Sequence, residues 1–139
     1  MIFFNNKEKN PVKDINLVKV AALLIHTAKI DENYSSKEEE IIKQVLLEMG
    51  VNKEDLDNTL NKGKEIEANS IQILDFTREI KNMSEKNKIK IIESLWRIIY
   101  SNKEADMYET SLMRRLAGLL YIDSKVMGNI KDKIKNEIL

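Results

Sequence analysis

Apolar residues recur along this chain at steps of three and four, the period of a helix that buries one face. Beyond Pro11, the stripe Leu17, Val20, Ala21, Leu24 and Ala28 predicts a first helix to about Lys29, capped by Asp14 or Asn16. A polar turn follows, and Ser35 with Glu38 forms Ser-x-x-Glu, in which each residue satisfies a backbone amide of the other. The second helix carries Ile41, Ile42, Val45, Leu46 and Met49, and Gly50 supplies the stop. Asn52 can cap a more polar third helix through about Glu67, with Leu56, Leu60 and Ile66 as its sparse stripe. A fourth starts near Ser70 and shows Ile73, Leu74, Phe76, Ile80 and Met83. Ser84 opens the fifth, which is apolar over most of its circumference (Ile89, Ile91, Ile92, Leu95, Trp96, Ile98, Ile99) and is therefore expected at the centre of the bundle. The sixth carries Leu112, Met113, Leu116, Ala117 and Leu120. The seventh, capped by Asp123 or Ser124, lines up Met127, Ile130, Ile134 and Ile138. With four Gly, one Pro and little strand-like alternation, the fold class is all-α, with about seven helices.

The same pattern repeats at a fixed offset. Asp31 and Asn102 stand 71 positions apart, and that shift also places Val20 on Ile91, Leu24 on Leu95, Ile25 on Trp96 and Ala28 on Ile99. Past the turn, Glu38 falls on Glu109, Ile42 on Met113, Val45 on Leu116 and Met49 on Leu120; the next cap, Asn52, falls on Asp123. Amphipathic helices in general would match in their apolar registers but need not match in their polar turns. The expected architecture is a duplicated helix-turn-helix hairpin, the two copies packed pseudo-symmetrically, with the third and fourth helices as connection.

Composition narrows the function classes. A chain of 139 residues is one domain with a core of its own, here residues 1–139 with a polar N-terminal arm over 1–13. The apolar start, Met1 to Phe4, is expected to lie as a flap on that core. The 23 basic and 23 acidic residues cancel, which gives no electrostatic case for nucleic acid. Cysteine is absent and there is a single histidine, so neither a thiol nucleophile nor a His- or Cys-rich zinc site is expected. No apolar run approaches the roughly 18 residues that span a bilayer, and the start lacks the features of a signal peptide. The expected location is cytoplasmic.

Candidate chemistry sits in the two turns. Asp31, Asn33, Ser35 and Glu38 in the first, and Asn102, Glu104, Asp106 and Glu109 in the second, place oxygen-bearing side chains at relative positions 0, 2, 4 and 7. Oxygen-only sets suit hard cations such as Ca2+ or Mg2+. The same residues are also what helix N-termini need, because the first amides of a helix lack partners, and Ser35-x-x-Glu38 and Asp106-x-x-Glu109 are both capping boxes. Spacing leaves the two readings open.

The repeat, its turns and Leu95-Trp96 before the second turn resemble the tellurite-resistance TerB-like family from about Val18 to Lys133. Its mark, Ala-Asp-Gly-Glu-x-Asp-x-x-Glu occurring twice, is matched by Ile30–Glu38 and by Ser101–Glu109. The resemblance implies pseudo-symmetric helical hairpins, acidic turn residues proposed to hold divalent cations, and a role in stress responses to tellurite, often in membrane-proximal complexes. A related domain in a membrane-anchored co-chaperone implies protein association. Here the motif glycine is Glu32 in one turn and Lys103 in the other, which favours left-handed backbone less. Asn33, Ser35 and Asn102 replace carboxylates, which weakens any cation site.

Other candidates read as structural. His26 stands beside the first stripe as a packed or surface residue, Trp96 and Tyr100 read as core anchors, and Arg114-Arg115 as a solvated basic turn able to meet an acidic partner. Lys62-Gly63-Lys64 lacks the rest of a phosphate loop, and Lys131-Asp132-Lys133 reads as a solvated face. The expectation is a non-enzymatic module that engages a partner protein or a second copy, with divalent-cation binding by the two turns as the alternative.

Overall fold

A computed structural model describes residues 11–30, 34–70, 72–101 and 107–138. They form seven α-helices: α1 (Pro11–Ala28), α2 (Ser36–Glu48), α3 (Leu56–Asn69, entered through a 3-10 turn over Lys53–Asp55), α4 (Leu74–Ile80), α5 (Glu85–Tyr100), α6 (Met107–Leu119) and α7 (Ser124–Ile138). The all-α expectation holds. None of the described helices is long and apolar enough to cross a membrane. The flap at Met1–Phe4 and the arm up to Asn10 lie outside the described residues.

Local chemistry accounts for most boundaries. Ser35 Oγ accepts from the Glu38 amide (3.2 Å) while a Glu38 carboxylate oxygen accepts from the Ser35 amide (2.7 Å), the reciprocal pair that Ser-x-x-Glu implies. Ser84 Oγ accepts from the Asn87 amide at 3.2 Å and opens α5. Asp123 accepts from the Lys125 amide at 2.7 Å before α7. One start differs from expectation. α1 begins at Pro11 itself, so Asp14 and Asn16 lie inside the helix rather than at its cap. Proline's fixed φ is already helical and its missing N–H is one that a first turn leaves unpaired anyway.

Burial corrects the picture of the core in a second way. α5 is central, as its composition requires, but α1 shares that place. Val20 to Leu24 are all at 0 % exposure, so α1 is wrapped on every side rather than along one stripe. It packs on α2, α3, α4 and α5. Small residues make this geometrically feasible. A Cβ added at Gly63 of α3 would lie 2.7 Å from the Ala21 Cβ and 3.2 Å from the Ala22 amide nitrogen. Lys62-Gly63-Lys64 is thus a close helix crossing, the role that glycine fills where two backbones approach.

The offset of 71 survives in three dimensions and reaches further than the hairpins. Val20 and Ile91, Leu24 and Leu95, Ala28 and Ile99, Ile42 and Met113, and Val45 and Leu116 are all buried in pairs. α2 ends with the Val51 amide donating to the Leu46 carbonyl (3.0 Å) and the Gly50 amide to that of Leu47 (3.1 Å). α6 ends the same way, Ile122 donating to Ala117 (2.8 Å) and Tyr121 to Gly118 (3.3 Å). Each is the six-to-one and five-to-two pair of a left-handed helix stop. The third helices correspond as well: α1 packs on α3 as α5 packs on α7. The unit that recurs is therefore three helices, α1–α3 and α5–α7, and only α4 is connection. The duplicated hairpin, with the third and fourth helices as connection, is thus extended by one helix in each copy.

Candidate functional site

Of the eight turn residues, the structure describes Ser35, Glu38 and Glu109. Asp31, Asn33, Asn102, Glu104 and Asp106 lie outside the described residues. Ser35 and Glu38 are brought together at the start of α2, where Glu38 also accepts from the Ser35 hydroxyl at 3.2 Å. Glu38 is 1 % exposed and Glu109 5 %, and among the described residues these are the buried carboxylates. They stand 71 positions apart, each in the first turn of the second helix of its unit. Positive helix ends favour a carboxylate there. Among the described residues no three His, Cys, Asp or Glu side chains gather.

A polar network ties the first turn to α3. The Tyr34 hydroxyl donates to Glu39 at 3.0 Å, and Lys64 reaches the same carboxylate at 3.3 Å with its ammonium 5.8 Å from the Tyr34 ring centre. Burial, followed by the bond to Glu39, pushes the Tyr34 phenol well above its usual value. Burial works against the Glu39 carboxylate too, but the Tyr34 hydroxyl, Lys64 and Lys43 outweigh it and hold that group below the ordinary range. At the other end of α3, Glu67 meets Lys29 (2.8 Å) and His26 Nδ1 (3.3 Å), and the imidazole lies against Phe76 with ring centres 5.9 Å apart. The histidine is a packed, tethered residue, as its position suggested.

The second unit carries a feature that periodicity did not reveal. Tyr121 adopts φ 59°, while its counterpart 71 positions earlier, Gly50, adopts φ 110°. Among the described non-glycine residues only Tyr121 has a positive φ. Glycine takes such angles without penalty, whereas an L side chain costs roughly 1–2 kcal/mol there. The strained ring is not buried; Tyr121 is 69 % exposed. It borders a depression of about 140 Å³ between α4 and α6, floored by Leu74, Thr77 and Leu119 and flanked by Arg78 and Lys81. The Lys81 ammonium lies 5.9 Å from the Tyr121 ring centre. An exposed aromatic beside apolar floor and cations is the composition of a protein-binding hot spot. Aligning Gly50 with Tyr121 in the repeat could have flagged this position, since a stop that wants glycine holds a tyrosine.

Comparison with known proteins adds one finding. The family model described as Tellurite resistance protein TerB matches residues 17–132 of this chain. No curated protein and no solved structure matches it.

Proposed function

Since the chain belongs to the tellurite resistance TerB family, we propose that it is a non-enzymatic interaction module of a tellurite-type stress response, and that a partner protein docks on the patch around Tyr121. The observation that carries this reading is the left-handed Tyr121 itself. Strain held at an exposed side chain is a cost to the fold, and such costs concentrate where a side chain is used. The chain's lone histidine is engaged by Glu67 and Phe76, and no cysteine is present, which supports binding rather than chemistry.

The test is Tyr121→Asn, since asparagine tolerates left-handed angles and removes the ring. Wild-type and variant chains are cross-linked in cells that carry their natural neighbours. The reading expects one or more discrete cross-linked partners with wild type and their loss with the variant at equal abundance. Unchanged cross-links would rule the patch out.

A second reading is divalent-cation binding by Asp31, Asn33, Ser35 and Glu38 and by Asn102, Glu104, Asp106 and Glu109. What favours it is that Glu38 and Glu109 are both buried at equivalent registers, 1 % and 5 % exposed. Against it, the Ser35–Glu38 box already occupies one Glu38 oxygen. Titration with Ca2+ and Mg2+ followed by amide NMR decides. Saturable shifts confined to residues 31–38 and 102–109 support a site; no shifts at millimolar ion leave these residues as caps.

A further inference from the structure

The two units differ in the residues their second and third helices carry. In the first, Leu46 of α2 and Leu60 of α3 are 0 % and 3 % exposed. The residues 71 positions later are Ala117 and Lys131, and Gly118 and Gly128 stand where the first unit has Leu47 and Asp57. A cleft of about 430 Å³ lies between α5, α6 and α7, beside Ala117, Gly118 and Gly128. A Cβ added at Gly118 or at Gly128 would meet nothing within 4 Å. That volume lies in the range of small-ligand sites.

Its lining is apolar with a one-sided charge. Trp96, Met113, Ile122 and Met127 form the walls, Arg114 and Lys131 supply cations, and among the described residues no carboxylate lines the cleft. The Lys131 ammonium stands 5.5 Å from the Trp96 ring centre. Trp96 is 2 % exposed, yet its indole Nε1 is buried without a hydrogen-bond partner. A buried donor left unpaired is costly and is rare in native proteins. Tyr100 stacks on Trp96, ring centres 5.8 Å apart.

We infer that the α5–α6–α7 cleft binds a small amphiphilic carboxylate, its apolar body against Trp96, Met113 and Met127 and its anionic head taken by Arg114 and Lys131. The volume suits a chain on the order of ten carbons. The cleft meets the Tyr121 depression only at Gly118, and the inference does not rest on that reading.

Trp96 is the chain's single tryptophan, so its fluorescence reports on the cleft directly. The full chain is titrated with decanoate, with decanol and with acetate, all below the concentration at which they aggregate. A saturable change with decanoate is expected, at least tenfold weaker with decanol and absent with acetate. Gly128→Leu places a side chain in the cleft and not in the Tyr121 depression; it should abolish the decanoate response while circular dichroism and the melting curve stay native. Arg114→Gln with Lys131→Gln, both at the rim, should weaken decanoate at least tenfold without altering the response to decanol. No saturable response, equal affinity for decanol, or undiminished binding by Gly128→Leu would each overturn the inference. So would a response confined to phosphatidylglycerol vesicles, which would assign the cations to a lipid surface instead.

Discussion

Single residues carry opposite lessons at Tyr121 and Gly63. At Tyr121 the backbone angle and the residue type disagree, so relieving the disagreement should stabilise the fold. Tyr121→Asn is expected to raise the free energy of unfolding by about 0.5 kcal/mol, the left-handed penalty less the exposed contact with Lys81. Urea denaturation measures it, and a loss of stability would mean that the ring packs more than its 69 % exposure indicates. At Gly63 residue and environment agree. Gly63→Ala should gain about 1 kcal/mol in helix propensity but lose about 1–3 kcal/mol to overpacking against Ala21. The net is a destabilisation on the order of 1 kcal/mol, read as a lower urea midpoint. An unchanged midpoint would mean that α1 and α3 can part without cost. Neither position was visible to periodicity, which registers polarity and not backbone angle or the distance between two helices. The turn residues were legible as residue types, and Ser35 and Glu38 do meet as their spacing requires.

Helices as units were the most legible level. Ser35, Ser84 and Asp123 act at the ends where their side-chain oxygens predicted starts. α1 starts at Pro11 rather than after it, because proline can begin a helix as well as precede one. The reach of the duplication was also underestimated, since α3 exposes most of its surface and its few apolar residues hide its likeness to α7. One element-level device was missed altogether. Lys88 is only 6 % exposed and donates from Nζ to the Leu120 carbonyl at 2.9 Å and towards the Lys81 carbonyl at 3.4 Å. It therefore places one positive charge against the C-terminal ends of α4 and α6, where carbonyl dipoles attract it. The first unit has Leu17 at this register, so an apolar residue fits the shape. Lys88→Met should still lower stability by about 1–2 kcal/mol, because charge-assisted bonds vanish and carbonyls are left dry. Thermal unfolding tests it, and an unchanged or higher Tm would show that burying the ammonium cancels its bonds.

For the molecule as a whole, charge pairs zip the units without defining the fold. Arg97 and Glu137 meet at 2.8 Å and Lys133 and Glu93 at 2.9 Å, so α5 and α7 are bridged along their outer edge. The bond from Arg97 holds the Glu137 carboxyl below its ordinary range, against a smaller opposing effect of burial. Glu39 is held low likewise at the first turn, where Tyr34, Lys64 and Lys43 outweigh burial. For carboxyls lowered on folding, the stabilisation is complete above their unfolded value of about 4.3 and is lost as pH falls through the folded value. Urea midpoints should therefore be level from neutral pH down to about 5 and fall below about 4.5. Glu39→Gln together with Glu137→Gln should flatten that fall. A fall that persists unchanged in the double variant would place its origin in other carboxyls. Overall architecture was readable because buried apolar positions recur at 71 residues. What the second unit does differently was not, since the cleft depends on absent volume and the patch on a backbone angle.

The account rests on one three-helix unit used twice, and residue-resolved amide hydrogen exchange by NMR tests that most directly. It predicts that protection recurs in pairs 71 positions apart: the helix-stop amides of Val51 and Ile122, each bonded back into its helix, slow together, and Leu24 and Leu95 are among the slowest of all. Protection confined to α5–α7, with α1–α3 exchanging freely, would contradict the duplicated frame and the placement of α1 at the centre.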